Sequence, residues 1–339
     1  MPRLRLSLVC SEYDTTAPLL RGEVQPEGID LICTRSPPAD TFWQVLKFGE
    51  FDVAEMSMSF YLMARSRGRT DYIAIPVFPM RMFFQTGIVV NKHSGIQQPR
   101  DLRGKRFGLP EYGISLALWI RGILKHEYDV PPESIEWYIE RPPTLAIESA
   151  LGGVQIPANV RVRRLQDTES LNGMLIDGRI DACFSYATFF PVQTLADRSI
   201  ATNIRTHPNV KPLFDDIKKA QIEYYRKTGI QPINHIIIIK TKVLQEHPWV
   251  AMNLFKAFQK SKEISYQRAR EIAYTHNSYV WLGQLYEEVQ ALFGGDPLPY
   301  GIQRNLKTLE TVVEYSHEQG FISEKIAPAS LFYESTRSL

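Results

Sequence analysis

Arg81 is the residue whose neighbours point most directly to anion binding. It stands alone as a charge in the apolar and aromatic run of residues 78–84, and a buried guanidinium costs free energy unless an anion accompanies it. A ligand carboxylate would balance that charge, and burial among Phe83, Phe84 and Trp119 would strip water from it. The alternative is a structural ion pair between Arg81 and either Glu55 or Glu111.

Two expected helix starts carry small polar side chains. Ser57 and Ser59 follow one short apolar strand, and Gly113 and Ser115 follow another. The unpaired N–H groups and partial positive charge of a helix start favour an anion. Two such starts facing each other would therefore clamp a carboxylate. The simpler interpretation is that the serines cap their own helices.

His235 is the first candidate for proton transfer, because imidazole titrates near neutrality and His235 precedes a strongly apolar strand. A core histidine with satisfied hydrogen bonds is the alternative. Ligands of open parallel sheets bind beyond the carboxyl ends of the strands. That position adds a second candidate acid and several candidate contacts to the substrate: Glu111, Glu55, Tyr13, Tyr112 and Tyr186.

Several classes of protein lack their signals. The seven histidines include no close metal-binding pair, and we predict no metal and no cofactor. The chain has no Gly-rich phosphate loop, no nucleophile elbow and no interleaved basic and aromatic residues. The net charge of +2 is spread along 339 residues, so no nucleic-acid partner is expected.

The amino terminus reads as a strand. Residues 1–10 alternate polar and apolar side chains, unlike a signal peptide. No apolar stretch reaches about 18 residues, and the three cysteines are far apart, which argues against a disulfide framework. We predict a cytoplasmic protein with no membrane partner. The sequence leaves open whether it forms a homo-oligomer.

The order of elements predicts an α/β protein with two lobes. A chain of 339 residues exceeds the roughly 250–300 residues of one hydrophobic core. Strands and helices alternate over the first ninety residues, as in an open parallel sheet, and the helix near 116–124 has an apolar stripe with Arg121 lying off it. We assign residues 1–88 and 241–339 to lobe I and 89–240 to lobe II, with a ligand cleft between them.

Eight segments closely resemble the 4,5-dihydroxyphthalate decarboxylase family, in order and over nearly the whole chain: 52–57, 75–81, 101–106, 110–112, 119–124, 180–182, 248–254 and 299–301. The resemblance implies the type II periplasmic-binding-protein fold without a signal peptide. It also implies removal of CO2 from a dihydroxylated aromatic acid without an organic cofactor.

Two departures from the family pattern point to a different, less charged substrate. Phe84-Gln85 stands where the family has an Arg-His pair, and residues 141–145 replace an acidic, Gly-containing segment. Both changes are expected to remove polar or charged groups near the cleft.

The mechanistic hypothesis needs no metal. Arg81 and the helix starts at Ser57 and Ser115 hold the carboxylate, His235 or Glu111 supplies a proton to the ring carbon, and Tyr112 or Tyr186 contacts the ring hydroxyl. The competing hypothesis is a solute-binding protein that delivers a small organic acid to a transporter and needs no proton donor. A thiamine-precursor synthase of the same fold is disfavoured, because the chain has no cysteine-rich run.

Overall fold

The computed structural model describes residues 3–184, 198–201, 204, 206–275 and 278–339. In chain order its strands are β1 (Leu4–Cys10), β2 (Ile29–Arg35), β3 (Val53–Ser57), β4 (Tyr72–Ile75), β5 (Val89–Asn91), β6 (Arg106–Leu109), β7 (Glu136–Ile139), β8 (Arg161–Arg164), β9 (Ala182–Cys183), β10 (Val210–Pro212) and β11 (His235–Lys240).

The helices alternate with these strands and then dominate the carboxyl-terminal third. They are α1 (Ala17–Leu20), α2 (Pro38–Phe48), α3 (Met58–Ser66), α4 (Ser115–Tyr128), α5 (Leu171–Ile176), α6 (Ile217–Thr228), α7 (Thr241–Glu246), α8 (Val250–Tyr274), α9 (Leu282–Phe293) and α10 (Leu306–Glu318). Within the described ranges, none of them combines the length and apolar character that crossing a bilayer requires.

In the part of the chain that the structure describes, the first sheet has five strands in the order β2-β1-β3-β11-β4. β1 runs parallel to β2 and β3, whereas β11 inserts antiparallel between β3 and β4. The first five residues of β11 are buried, as expected for a central strand covered on both faces. The lobe boundary predicted at residue 240 groups β11 with the second lobe, whereas its hydrogen bonds join it to this sheet.

Among the described residues, the second sheet has six strands in the order β10-β5-β9-β6-β7-β8. β6 runs parallel to β7 and β9, while β5 is antiparallel to β9 and β10. The strand predicted over 180–186 is seen as Ala182–Cys183. Ser185 and Tyr186 lie outside the described residues.

Two chain segments run side by side between the sheets. Arg81 pairs with Ile233 in an antiparallel bridge, and the backbone N–H groups of Asn234 and His235 donate to the Met80 carbonyl at 3.0 and 3.2 Å. The Trp119 indole N–H donates to the Ile233 carbonyl at 2.8 Å. This pairing brings Arg81 and His235 together, although 153 residues separate them in the sequence.

α4 is buried on more than one face. Arg121, expected to lie off the packed stripe, is fully buried; its guanidinium stacks on the Tyr112 ring at 3.8 Å and donates to Gln319 Oε1 at 2.7 Å. The expectation was wrong because α10 covers the second face of α4, and the periodicity of one helix cannot reveal a partner about 190 residues away. α10 also packs on α3.

Gly122 allows the close approach of α4 and α10. A Cβ atom at this position would lie 2.0 Å from Tyr315 Cδ2. We expect Gly122→Ala to lower the free energy of unfolding, measured by urea denaturation, by about 1–3 kcal/mol through overpacking.

The control is the same substitution in a Tyr315→Ala background, where the ring is gone. There the better helix propensity of alanine should make Gly122→Ala neutral or stabilising, by up to about 1 kcal/mol. Equal losses in the two backgrounds would show that the ring contact is not the cause.

Candidate functional site

A buried acid–base pair lies where β3 and β11 adjoin. Glu55 and His235 are both buried, and Glu55 Oε1 is 2.5 Å from His235 Nδ1. The Tyr13 hydroxyl donates to the same carboxylate oxygen at 2.7 Å and lies 3.2 Å from His235 Nδ1. The Ser11 N–H donates to the other oxygen at 2.8 Å. These contacts satisfy the buried carboxylate from several directions.

The surroundings favour the ionised form of Glu55. Burial by itself raises the pKa of its carboxyl group, but the charge of His235 and the hydrogen bonds from His235, Ser11 and Tyr13 outweigh burial, so the pKa lies below its usual value. Burial, followed by the negative charge of Glu55, raises the pKa of Tyr13 well above its usual value. Tyr13 therefore remains a protonated donor toward Glu55.

Asn234 contacts the other nitrogen of His235. Its Nδ2 lies 2.7 Å from His235 Nε2, while its Oδ1 is buried without a hydrogen-bond partner in the described part of the chain. In this orientation Nε2 accepts a hydrogen bond and Nδ1 carries the proton toward Glu55. A turned amide would let Oδ1 accept from a protonated Nε2, so Asn234 can accompany either charge state of the ring.

The two predicted helix starts do meet. Ser57 Oγ lies 2.8 Å from Ser115 Oγ, the Ser59 N–H donates to Ser115 Oγ at 2.9 Å, and the Ser59 hydroxyl donates to the Gly113 carbonyl at 2.6 Å. The capping interpretation was wrong for Ser57, whose side chain bonds to the other helix start and makes no cap bond to α3. Contact of these serines with a carboxylate stays a prediction.

Arg81 is partly buried and held from one side. Its Nη2 donates to the Pro299 carbonyl at 2.7 Å and to Asn305 Oδ1, and its guanidinium lies 5.2 Å from the Phe78 ring centroid. Nε is buried and has no hydrogen-bond partner among the residues that the structure describes. Burial lowers the pKa of Arg81 to about 10, so the group is still a cation at neutral pH.

The predicted alternative, an ion pair between Arg81 and Glu55 or Glu111, was wrong, because both acids have other partners. Glu55 is engaged by His235. Glu111 is fully buried, accepts from Arg141 Nη1 at 2.9 Å and accepts the Glu148 N–H at 2.8 Å. Burial raises the pKa of Glu111 although the charge of Arg141 opposes it. None of these contacts joins Glu111 to the Glu55–His235 pair.

Arg141 also corrects the expectation that segment 141–145 removes charge. Its buried guanidinium adds a charge and pairs it with Glu111. A proline-rich segment without periodicity carries no signal for the direction of its first side chain, so the sequence could not indicate this contact.

The aromatic residues predicted to contact the substrate pack against different parts of the protein. Tyr112 packs against Arg121 and, at a ring distance of 6.0 Å, against Phe321. Phe83 packs edge-on against Tyr224 at 6.1 Å. Tyr186 lies outside the described residues. Among those the structure does describe, no group of three or more His, Cys, Asp or Glu side chains is arranged to hold a metal ion.

Sequence reasoning missed the residues that hold Arg81. Asn305 and the Pro299 carbonyl come from a loop more than 200 residues further along the chain. The only available signal was the resemblance over 299–301, which indicated a family trait but no contact with Arg81.

Replacing Glu55 with glutamine tests the buried pair by its pH dependence. The native pKa of Glu55 is lowered, so below about pH 4.3, the ordinary glutamate pKa, the unfolded chain takes up the proton first and stability falls with pH. We expect the wild-type free energy of unfolding to fall more steeply than that of Glu55→Gln between about pH 5 and pH 3, as measured by urea denaturation.

Glu324→Gln is the matched control, because Glu324 is exposed and should leave the wild-type pH profile unchanged. Parallel profiles for the wild type and Glu55→Gln would contradict the stabilising role of the pair.

The fold has known counterparts. Residues 36–145 match the family model described as an ABC transporter, phosphonate, periplasmic substrate-binding protein. The periplasmic aliphatic sulphonate binding protein SsuA from Escherichia coli superposes with a TM-score of 0.54 at 11% identity, covering 100% of both chains. The type II periplasmic-binding-protein fold predicted from the sequence is thereby confirmed.

Two relatives of known name share much more of the sequence. The 4,5-dihydroxyphthalate decarboxylase of Comamonas testosteroni is 30% identical over 339 residues, covering 99% of this chain and 98% of the relative. The enzyme of the same name from Pseudomonas putida is 32% identical over 230 residues, covering 67% and 83% respectively. The resemblance predicted from eight segments is confirmed, and the chain belongs to the 4,5-dihydroxyphthalate decarboxylase family.

Proposed function

We propose that this protein is a decarboxylase that acts on a hydroxylated aromatic carboxylic acid, without an organic cofactor. The observation that carries the proposal is Arg81, a guanidinium without a carboxylate partner among the described residues, on the segment that pairs with the start of β11. Its charge is available to a ligand anion. The Glu55–His235 pair supplies acid–base chemistry, and His235 lies two residues after Ile233, the backbone partner of Arg81.

In the proposed reaction, Arg81 holds the substrate carboxylate and a proton is added to the ring carbon that bears it. A ring hydroxyl ortho or para to that carbon supplies electron density for the new C–H bond. The C–C bond to the carboxylate then breaks, its electron pair restores the aromatic ring, and CO2 leaves. One proton is consumed for each CO2 released.

His235 is the proposed proton donor. Its Nδ1 is held by Glu55, so Nε2 is the nitrogen that would face a substrate. Asn234 lies against Nε2 and its amide would turn as the proton moves. Glu111 is less suited to this role, because Arg141 and the Glu148 N–H already engage it.

The substrate is proposed to differ from 4,5-dihydroxyphthalate and to carry less charge. Gln85 stands where the family pattern has a basic pair, and both polar atoms of its buried amide lack hydrogen-bond partners within the described ranges. A neutral amide suits a neutral polar substituent better than a second carboxylate. The positive charge of Arg141 is balanced by the carboxylate of Glu111.

A solute-binding protein for a small organic acid is the second candidate, favoured by the family model and by the sulphonate-binding neighbour. Such a carrier needs Arg81 but has no use for a buried imidazole between a carboxylate and an amide. The Glu55–His235–Asn234 arrangement therefore supports the enzyme. We retain the proposals of a cytoplasmic location and an aromatic carboxylate as the ligand.

Turnover of a panel of hydroxyaryl carboxylates, followed as CO2 release, tests the proposal. We expect release from at least one monocarboxylate with an ortho or para hydroxyl. His235→Gln should lower kcat by about 10²–10⁴-fold, the usual contribution of general acid–base catalysis, with ligand affinity largely retained. Arg81→Gln should weaken binding of the same acid.

His93→Gln, at an exposed histidine, is the control and should leave turnover unchanged. Tight binding across the panel without CO2 would favour the carrier, and full activity of both Arg81→Gln and His235→Gln would refute the assignment of the site.

A further inference from the structure

Two buried hydroxyl groups lie near Arg81. Thr15 Oγ1 and the Tyr300 hydroxyl, both on buried residues, lack a well-formed hydrogen-bond partner in the part of the chain that the structure describes. Tyr300 follows Pro299, whose carbonyl accepts from Arg81. Burial raises the pKa of Tyr300, while a contact from the Thr15 side chain and the charge of Arg81 lower it. The Thr15–Tyr300 contact lacks the geometry of a normal hydrogen bond. The two hydroxyls therefore lie together near Arg81, and neither they nor Arg81 Nε has a well-formed partner among the described residues.

Unsatisfied buried hydroxyls cost free energy, yet the backbone around these two is firmly held by α8. The Ser261 hydroxyl donates to the Thr15 carbonyl at 2.7 Å and accepts the Leu19 N–H at 3.1 Å. One residue later, Lys262 Nζ donates to the Leu298 carbonyl at 3.0 Å and to Asp296 at 3.1 Å. One helix thus positions both loops that carry the hydroxyls.

The nearby carboxylates are already engaged. Asp296 accepts from Lys262, from the Tyr266 hydroxyl at 2.9 Å and from Arg304 Nη1 at 2.7 Å. Asp14, which also acts on Tyr300, accepts from the Ser265 hydroxyl at 3.1 Å. The negative charge of Asp296 raises the pKa of Arg81, but the ion pairs of Asp296 are with Lys262 and Arg304. The positive charge of Arg81 is therefore not cancelled from within this cluster.

We propose that Arg81, Tyr300 and Thr15 form an oxyanion pocket that binds the carboxylate of the aromatic acid. A guanidinium has no acceptor, and two hydroxyls without a well-formed partner in the described part of the chain donate readily to an anion. Burial raises the pKa of Tyr300, which keeps its hydroxyl protonated and able to donate. The inference rests on the proposed function in one respect, that the bound carboxylate is the one removed as CO2.

Binding of benzoate, which has no ring hydroxyl to support decarboxylation, separates the pocket from the chemistry. Tyr300→Phe and Thr15→Val preserve shape and remove one donor each. Because a hydrogen bond to a charged group is stronger than a neutral one, each variant should weaken benzoate binding, measured by calorimetry, by about 10–100-fold. Benzamide, the neutral isostere, should bind the variants and the wild type alike.

Tyr224→Phe is the matched control, since its buried hydroxyl also has no well-formed partner in the described part of the chain but lies near the negative charge of Glu127; benzoate affinity should not change. Thermal melting of each variant checks that it folds. Unchanged benzoate affinity in both Tyr300→Phe and Thr15→Val would overturn the pocket, as would absence of millimolar benzoate binding by the wild type. Benzoate binding as expected, together with no CO2 from any hydroxyaryl acid, would support the pocket and refute the decarboxylase.

Discussion

The organisation of this site depends on a partly buried guanidinium that no carboxylate of the described residues balances. Arg81 is held by the Pro299 carbonyl and by Asn305, both neutral acceptors. Neutral acceptors orient a guanidinium but do not cancel its charge, so the site keeps a positive potential at a place of low dielectric constant. The carboxylates that could have cancelled it are bound to Lys262, Arg304, His235 and Arg141.

The second requirement is an acid–base pair, and the antiparallel insertion of β11 provides it. Placing His235 opposite Ser57 in the β3–β11 register puts the imidazole on the Glu55 carboxylate. If β11 ran parallel to β3, its last residue and not its first, His235, would lie beside Ser57. The same pairing continues into the segments that link the two sheets, and so His235, the proposed proton donor, and Arg81, the proposed anion contact, share one framework.

Membership of a decarboxylase family and a binding-protein fold are compatible in physical terms. A carrier and a decarboxylase both begin by desolvating an organic anion against a fixed positive charge. They differ in whether a proton can be delivered to the bound molecule. In this chain the buried imidazole, with a carboxylate on one nitrogen and an amide on the other, is the feature that a carrier has no need for.

The sequence by itself determined the periodic elements, the type of fold and the family. The strand at 235–240 and the helix starts at Ser57 and Ser115 follow from local patterns of apolar and small polar residues, which act over a few neighbours. Only the tertiary structure decided the partners. The burial of Arg121 under α10, the engagement of Glu111 by Arg141, and the contact of Arg81 with Asn305 each join residues whose meeting depends on how whole elements pack. Local propensity carries no information about such contacts, because a side chain's charge partner is chosen by the packing of distant segments.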